Sequence, residues 1–334
     1  MLFAALACLT TTNAYAKKNS DPTPEEKGLA LINKESAEAF VGFLASDELK
    51  GREAGTEEGR IAGNYIASLL QQWGVSPLFD SYFQPFEAYR VERQKQGRLQ
   101  VHPDSIQIIK QGVHQKYNMR NVLAKIEGKN KNEFVIIGAH YDHIGYDPML
   151  DGDQIYNGAD DNASGVSAVL QIVRSFLASG QQPERTVIFA FWDGEEKGLL
   201  GSRYFAMNYP DIKKVKGYLN YDMIGRNNRE DQPDYFVYFY TAAHQAFGDW
   251  LKKDIEDYRL QLSPDYRAWD NPVGGSDNGT FAKLGIPIIW YHTDAHPDYH
   301  LPGDETQKIN WLKIVDITKA SFLAMWKLAN EKKY

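Results

Sequence analysis

The chain has 334 residues, 43% of them hydrophobic, which is ample for one large globular domain or two small ones. Its 37 lysines and arginines stand against 44 acids, a net charge of −7, and the cations are scattered rather than clustered. That balance gives no sign of a nucleic-acid surface. The single cysteine, Cys8, lies in an N-terminal leader, so a mature chain without that leader carries neither thiol nor disulfide.

Met1 to Ala16 reads as a secretory signal. An apolar stretch, Leu2 to Leu9, is too short to span a membrane, and Ala14-Tyr15-Ala16 before Lys17-Lys18 fits a signal-peptidase site. The expected product is exported, periplasmic or secreted, with no membrane attachment once the signal is removed. Residues 17–30, polar and containing Pro22 and Pro24, read as a linker, and 31–334 as one folded domain.

Ala37, Phe40, Val41 and Leu44 fall at helical spacing. A glycine-punctuated loop, Leu49 to Thr56, follows, and Arg52 within it is expected to be a solvated ion-pair partner. A second helix starts near Glu57, with Ile61, Tyr65, Leu69 and Trp73 on one face, and stops at Gly74. Pro77 to Lys125 holds several short strand candidates.

Phe134-Val135-Ile136-Ile137 is too short for a helix and rich in β-branched residues, so it predicts a buried strand. It gives way to Gly138-Ala139-His140-Tyr141-Asp142-His143, a metal-competent cluster where open α/β sheets place their sites. Asn157 to Gly165 then brings small residues and the acids Asp160 and Asp161 to the start of a helix patterned by Val166, Val169, Leu170 and Val173. The same grammar recurs three times. Thr186–Trp192 leads to Asp193-Gly194-Glu195-Glu196, Tyr218–Tyr221 to Asp222, and Ile286–Tyr291 to His292, His296 and His300. Strand and helix in alternation predict an α/β fold, a single domain whose mostly parallel, mixed sheet is covered by helices on both faces. Parallel strands align their carboxyl ends, so these clusters meet at one rim. A final helix carries Val315, Thr318, Phe322 and Met325 on one face.

Carboxylates and imidazoles without a mature cysteine suit zinc. Asp160-Asp161 also reads as a helix cap. Pro297 and Pro302 forbid a regular helix through the histidines, and two of the three are expected to be surface or structural. His143 is expected not to ligate.

The motifs G-A-H-Y-D-H, G-A-D-D-N-A-S-G, F-W-D-G-E-E-K-G-L-L-G-S, N-Y-D-M-I-G and H-P-D-Y-H-L-P-G-D-E together resemble the M28 family of zinc peptidases, in the expected order from about Leu44 onward. The resemblance implies that family's single α/β domain, without the protease-associated insert of longer members. It implies two zinc ions, with Asp160 between them, His140 and Asp222 completing one, and Glu196 and His300 the other. Glu195 matches the general base that takes a proton from the attacking water, and Asp142 the carboxylate that fixes the His140 tautomer. Ser276-Asp277-Asn278 departs from the Ser-Asp-His of many relatives.

The leading expectation is a metallo-aminopeptidase acting on peptides with a free N-terminus. The alternative is a glutaminyl-peptide cyclotransferase, which shares the fold and works with one zinc. A third is a binding relative without catalysis, against which the full ligand set and Glu195 argue. Trp269, Trp290, Tyr291 and Tyr299 suggest an apolar first residue in the substrate.

Overall fold

The computed structural model describes residues 21–92, 98–271 and 274–334. The expected signal through Ala16 lies outside them. Three helices open the described chain: α1 (Pro24–Leu29), α2 (Lys34–Leu44) and α3 (Glu57–Gln72). The first falls within the expected linker over 17–30 and corrects it over Pro24–Leu29. Thr23 and Glu26 form a capping box, Pro24 starts the helix, and Gly28 lies so close to the Phe322 ring that a side chain there would collide with it. The segment is docked rather than connecting.

The stretch expected to hold short strands contains β1 (Ser76–Pro77), β2 (Phe83–Val91) and β3 (His114–Ile126), with the short helix α4 (Pro103–Ile109) between them. The chain then alternates. β4 (Asn130–His140), α5 (Gly165–Ser179), β5 (Arg185–Trp192), α6 (Leu200–Asn208) and β6 (Val215–Tyr221) follow in order. After them come β7 (Tyr235–Tyr240), α7 (Ala246–Tyr258), β8 (Ser263–Ala268), α8 (Asn278–Ala282), β9 (Ile288–His292) and the long α9 (Trp311–Asn330).

These strands form one mixed sheet in the order β1-β3-β5-β4-β6-β9-β7-β8, with β2 also paired to β3. Its centre, β5-β4-β6-β9, is parallel throughout, while β3 and β7 join it antiparallel. Alternate residues of β4 serve two cores. Val135, Ile137 and Ala139 pack toward α5 and α9, whereas Phe134 and Ile136 pack with Trp192, Phe205 and Phe281. A strand buried on both faces has no reason to alternate polar with apolar, which is why it reads as a continuous apolar run. His140 lies beside Trp192, Ala139 beside Tyr221, and Tyr221 beside Tyr291. The residues that follow each of these strands therefore emerge at one rim.

Arg52 departs from expectation most clearly. It is fully buried, and its guanidinium donates to five backbone carbonyls. Tyr141 O accepts at 2.8 Å, Leu44 O at 3.1 Å, Gly158 O at 2.8 Å, Asp161 O at 3.1 Å, and Asn157 O takes the fifth bond. The tight turn that aims it inward needs Gly51, which has φ +66° and approaches the Gly145 carbonyl so closely that a Cβ would lie 2.1 Å from that oxygen. A methionine of similar length at this position would leave all five carbonyls without their donor. Arg52→Met is expected to lower the unfolding free energy by at least about 3 kcal/mol in urea titration. A loss below about 1 kcal/mol is what a solvated surface arginine would give.

Candidate metal centre

His140 ends β4 with its side chain buried. Its Nδ1 lies 3.1 Å from the backbone oxygen of Asp142, which leaves Nε2 facing the rim. The Asp142 carboxylate was expected to make that contact, but its nearer oxygen stands 3.8 Å from Nδ1 and instead accepts the Glu195 N–H at 3.0 Å. Asp142 thereby ties the end of β4 to the turn after β5. His140 Nε2 lies 3.3 Å from Asp161 Oδ1 and 3.5 Å from Asp222 Oδ1, the latter just beyond β6.

A second group forms alongside. His300 Nε2 is 3.1 Å from Asp161 Oδ2 and 3.1 Å from Glu196 Oε2. The two oxygens of Asp161 thus face different sets of side chains. The carboxylate between them was expected to be Asp160, and the structure places Asp161 there instead. Asp161 has extended backbone angles, φ −101° and ψ 94°, so the neighbouring side chains diverge. Asp160 turns away, accepting the Gly225 N–H at 2.5 Å through Oδ1, while its Oδ2 lies 3.5 Å from His296 Nε2.

Asp304 holds this loop from behind. Fully buried, it accepts the Asp160 N–H at 3.1 Å and the Asp161 N–H at 3.0 Å, and burial followed by the nearby Asp160 charge raises its pKa to about 7. The last of the quoted motifs contains it without marking a role for it, because its work is done on backbone atoms 143 and 144 residues away. His143, expected to stand apart, is also drawn in. It is fully buried, with Nδ1 2.7 Å from Glu196 Oε1. Of the other histidines, His292 places Nδ1 2.6 Å from the Asp222 carbonyl, and His296 faces Asp160.

Glu195 and Glu196 diverge after Gly194, whose φ of +73° makes the sharp turn possible. A ring nitrogen of His140 and one oxygen from each glutamate lie within 4.8 Å of one another. Burial holds Glu195 well above the usual carboxylate range, and the Asp222, Glu196 and Asp277 charges push it the same way against the opposing pull of His140. For Asp161 the imidazoles of His143, His140 and His300 outweigh burial and hold it well below that range. Asp277, noticed in sequence only for the residue beside it, is fully buried near Asp222, and burial raises its pKa to about 7. Trp290 and Tyr291 are core residues, whereas Trp269 and Tyr299 are exposed, and Tyr299 stacks on His300 with ring centroids 3.9 Å apart.

The donor set fits a divalent cation. It offers only nitrogen and oxygen, and His140 Nε2, Asp161 Oδ1 and His300 Nε2 are buried yet form no hydrogen bond. Carboxylates gathered at this depth repel one another unless positive charge lies between them. Asp304 is predicted to be a positioning residue for that set. Asp304→Asn puts an amide where two N–H groups require an acceptor, and should weaken zinc affinity in chelator competition by about 10–100-fold, with activity recovering at saturating zinc. Unchanged affinity would reduce Asp304 to a structural residue.

Peptidase family M28 matches residues 121–325, more than half of the 334 residues. An aminopeptidase of Pseudomonas aeruginosa is 36% identical over 138 residues, covering 41% of this chain and 23% of that protein. The chain spans less than half the length of the first curated relatives it matches. Among solved structures, the LapA aminopeptidase of Legionella pneumophila shares the fold with TM-score 0.68 at 20% identity, over 100% of this chain and 81% of that one. The glutaminyl cyclase of Porphyromonas gingivalis does so with TM-score 0.61 at 20% identity, over 88% of this chain and 99% of that one. The chain belongs to peptidase family M28.

Proposed function

We propose that the protein is a zinc aminopeptidase that removes the first residue of peptides bearing a free α-amine. The observation that carries this reading is the division of Asp161, whose Oδ1 faces His140 while Oδ2 faces His300. His140 and Asp222 would hold one zinc ion, Glu196 and His300 a second, and Asp161 would touch both. When bound, the pair would supply Lewis acidity that polarises the scissile carbonyl and brings the pKa of water toward about 7.

The chain's own residues do the rest. Glu195 takes a proton from the attacking water onto its carboxylate and returns it to the leaving amine. Its burial favours holding that proton between the two transfers. The Asp142 carboxylate, bound to the Glu195 N–H, keeps this carboxylate beside His140. The Asp142 carbonyl at His140 Nδ1 fixes the tautomer that leaves Nε2 free to ligate. The free α-amine is the natural anchor in a pocket rich in acceptors, and anchoring it puts only the first carbonyl within reach.

The likeness to a glutaminyl cyclase supports a second reading, in which the substrate's own amine attacks its side-chain amide and ammonia leaves. The product separates the two. Leu-Gly-Gly should release leucine, its acetylated form should not, and a glutamine-initiated peptide should lose its first residue rather than ammonia. Glu195→Gln should lower the rate by about 10²–10⁴ while retaining zinc. Cyclised product without released leucine would replace the aminopeptidase reading with the second. Among the described residues no helix is long and apolar enough to cross a membrane. Export is proposed on the sequence reading through Ala16 alone.

A further inference from the structure

Some of the cations that look scattered in sequence gather in space. A groove of about 980 Å³ opens beside Glu196, and Arg90, Arg98, Lys197, Arg203 and Lys283 line it, with Glu196 its single carboxylate among the described residues. A local excess of positive charge on a chain whose net charge is −7 calls for a reason. These cations come from β2, the segment after it, the turn after β5, α6 and the end of α8, so no single helix face explains them.

Two of the five are engaged. Lys197 Nζ lies 2.5 Å from Glu53 Oε1, and Arg90 donates to Gln115 Oε1 at 2.6 Å. Arg98, Arg203 and Lys283 are exposed, and among the described residues none has an ion-pair partner. Glu196 does not neutralise them, because its two oxygens are taken by His143 and His300. The walls are apolar. Leu284 and Met207 are 53% and 44% exposed, and Leu199 enters from a backbone held at φ +58°. Apolar walls with a few convergent charges are the make-up of a small-ligand site.

We propose that this groove is the subsite for the part of the peptide beyond the cleaved bond, and that it selects substrates carrying a carboxylate there. The inference rests on the aminopeptidase reading for its direction. The α-amine is a cation in water and is repelled by five others, so it is excluded from this groove and directed to the acceptor-rich side near Asp222. The rest of the chain then leaves past Glu196 into the cationic side. Its carboxylate has two sources, the C-terminus of a short peptide or an acidic side chain. Either one would be held by charge-assisted hydrogen bonds from Arg203 and Lys283.

Calorimetric titration of the zinc-loaded Glu195→Gln protein with uncleaved peptides tests this. One pair is Leu-Ala-Ala with a free or an amidated C-terminus. The other is Leu-Glu-amide against Leu-Gln-amide. The carboxylate member of at least one pair is expected to bind about tenfold or more tightly, the worth of one charge-assisted bond, and the pair that responds identifies the source. Adding Arg203→Gln and Lys283→Gln should bring that ratio close to one, whereas Lys253→Gln on α7 should leave it intact. Equal affinities within both pairs, or a preference that survives the double substitution, would overturn the proposal. Hydrolysis of leucine anilide by the wild-type protein is measured separately. Its absence would count against the aminopeptidase reading, while the binding ratio would still report on the groove.

Discussion

The segment from Asn157 to Asp161 is gripped from both sides by two buried side chains. On its carbonyl side Arg52 donates to Asn157, Gly158 and Asp161, and on its N–H side Asp304 accepts from Asp160 and Asp161. Backbone groups buried without partners are costly, and a loop this deep could not form without such donors and acceptors. The arrangement uses side chains of Arg52 and Asp304 where a helix or strand would use its own amides. Its result is a loop that places Asp161 between two groups of metal-competent side chains. Preorganisation of that kind is what a site needs when its own members repel one another.

Repulsion sets the second constraint. Asp161, Glu195, Glu196 and Asp222 share a small volume with His140, His143 and His300, and within it the carboxylates of Glu195 and Asp161 are shifted in opposite directions. Burial raises Glu195 and the surrounding carboxylates raise His140 against its burial, whereas imidazoles hold Asp161 and Glu196 low against theirs. The division suits a centre in which one carboxylate moves protons and its neighbour keeps its charge.

Much of this was legible in sequence. The four central strands announced themselves as short apolar runs because both of their faces are buried, and their polar ends marked the rim. Order and spacing of the motifs carried the family. What failed to show has physical reasons. Asp160 and Asp161 are chemically identical neighbours, and only the backbone angles decide which one faces the ligands. Arg52 and Asp304 bond to backbone atoms remote in sequence, which no local pattern records. The helix α1 hid behind two prolines, one of which begins it. His143 looked redundant because its partner, Glu196, lies 53 residues on. The basic groove is assembled from five separate segments, so charge counting along the chain missed it.

The proposed sharing of Asp161 by two cations is tested most directly by metal stoichiometry. Undialysed wild-type protein analysed by inductively coupled plasma mass spectrometry should carry close to two zinc ions per chain. Asp161→Asn, which keeps the shape of the side chain and removes its charge, should carry one or fewer. A single zinc in fully active wild-type protein, or two retained by the variant, would contradict it.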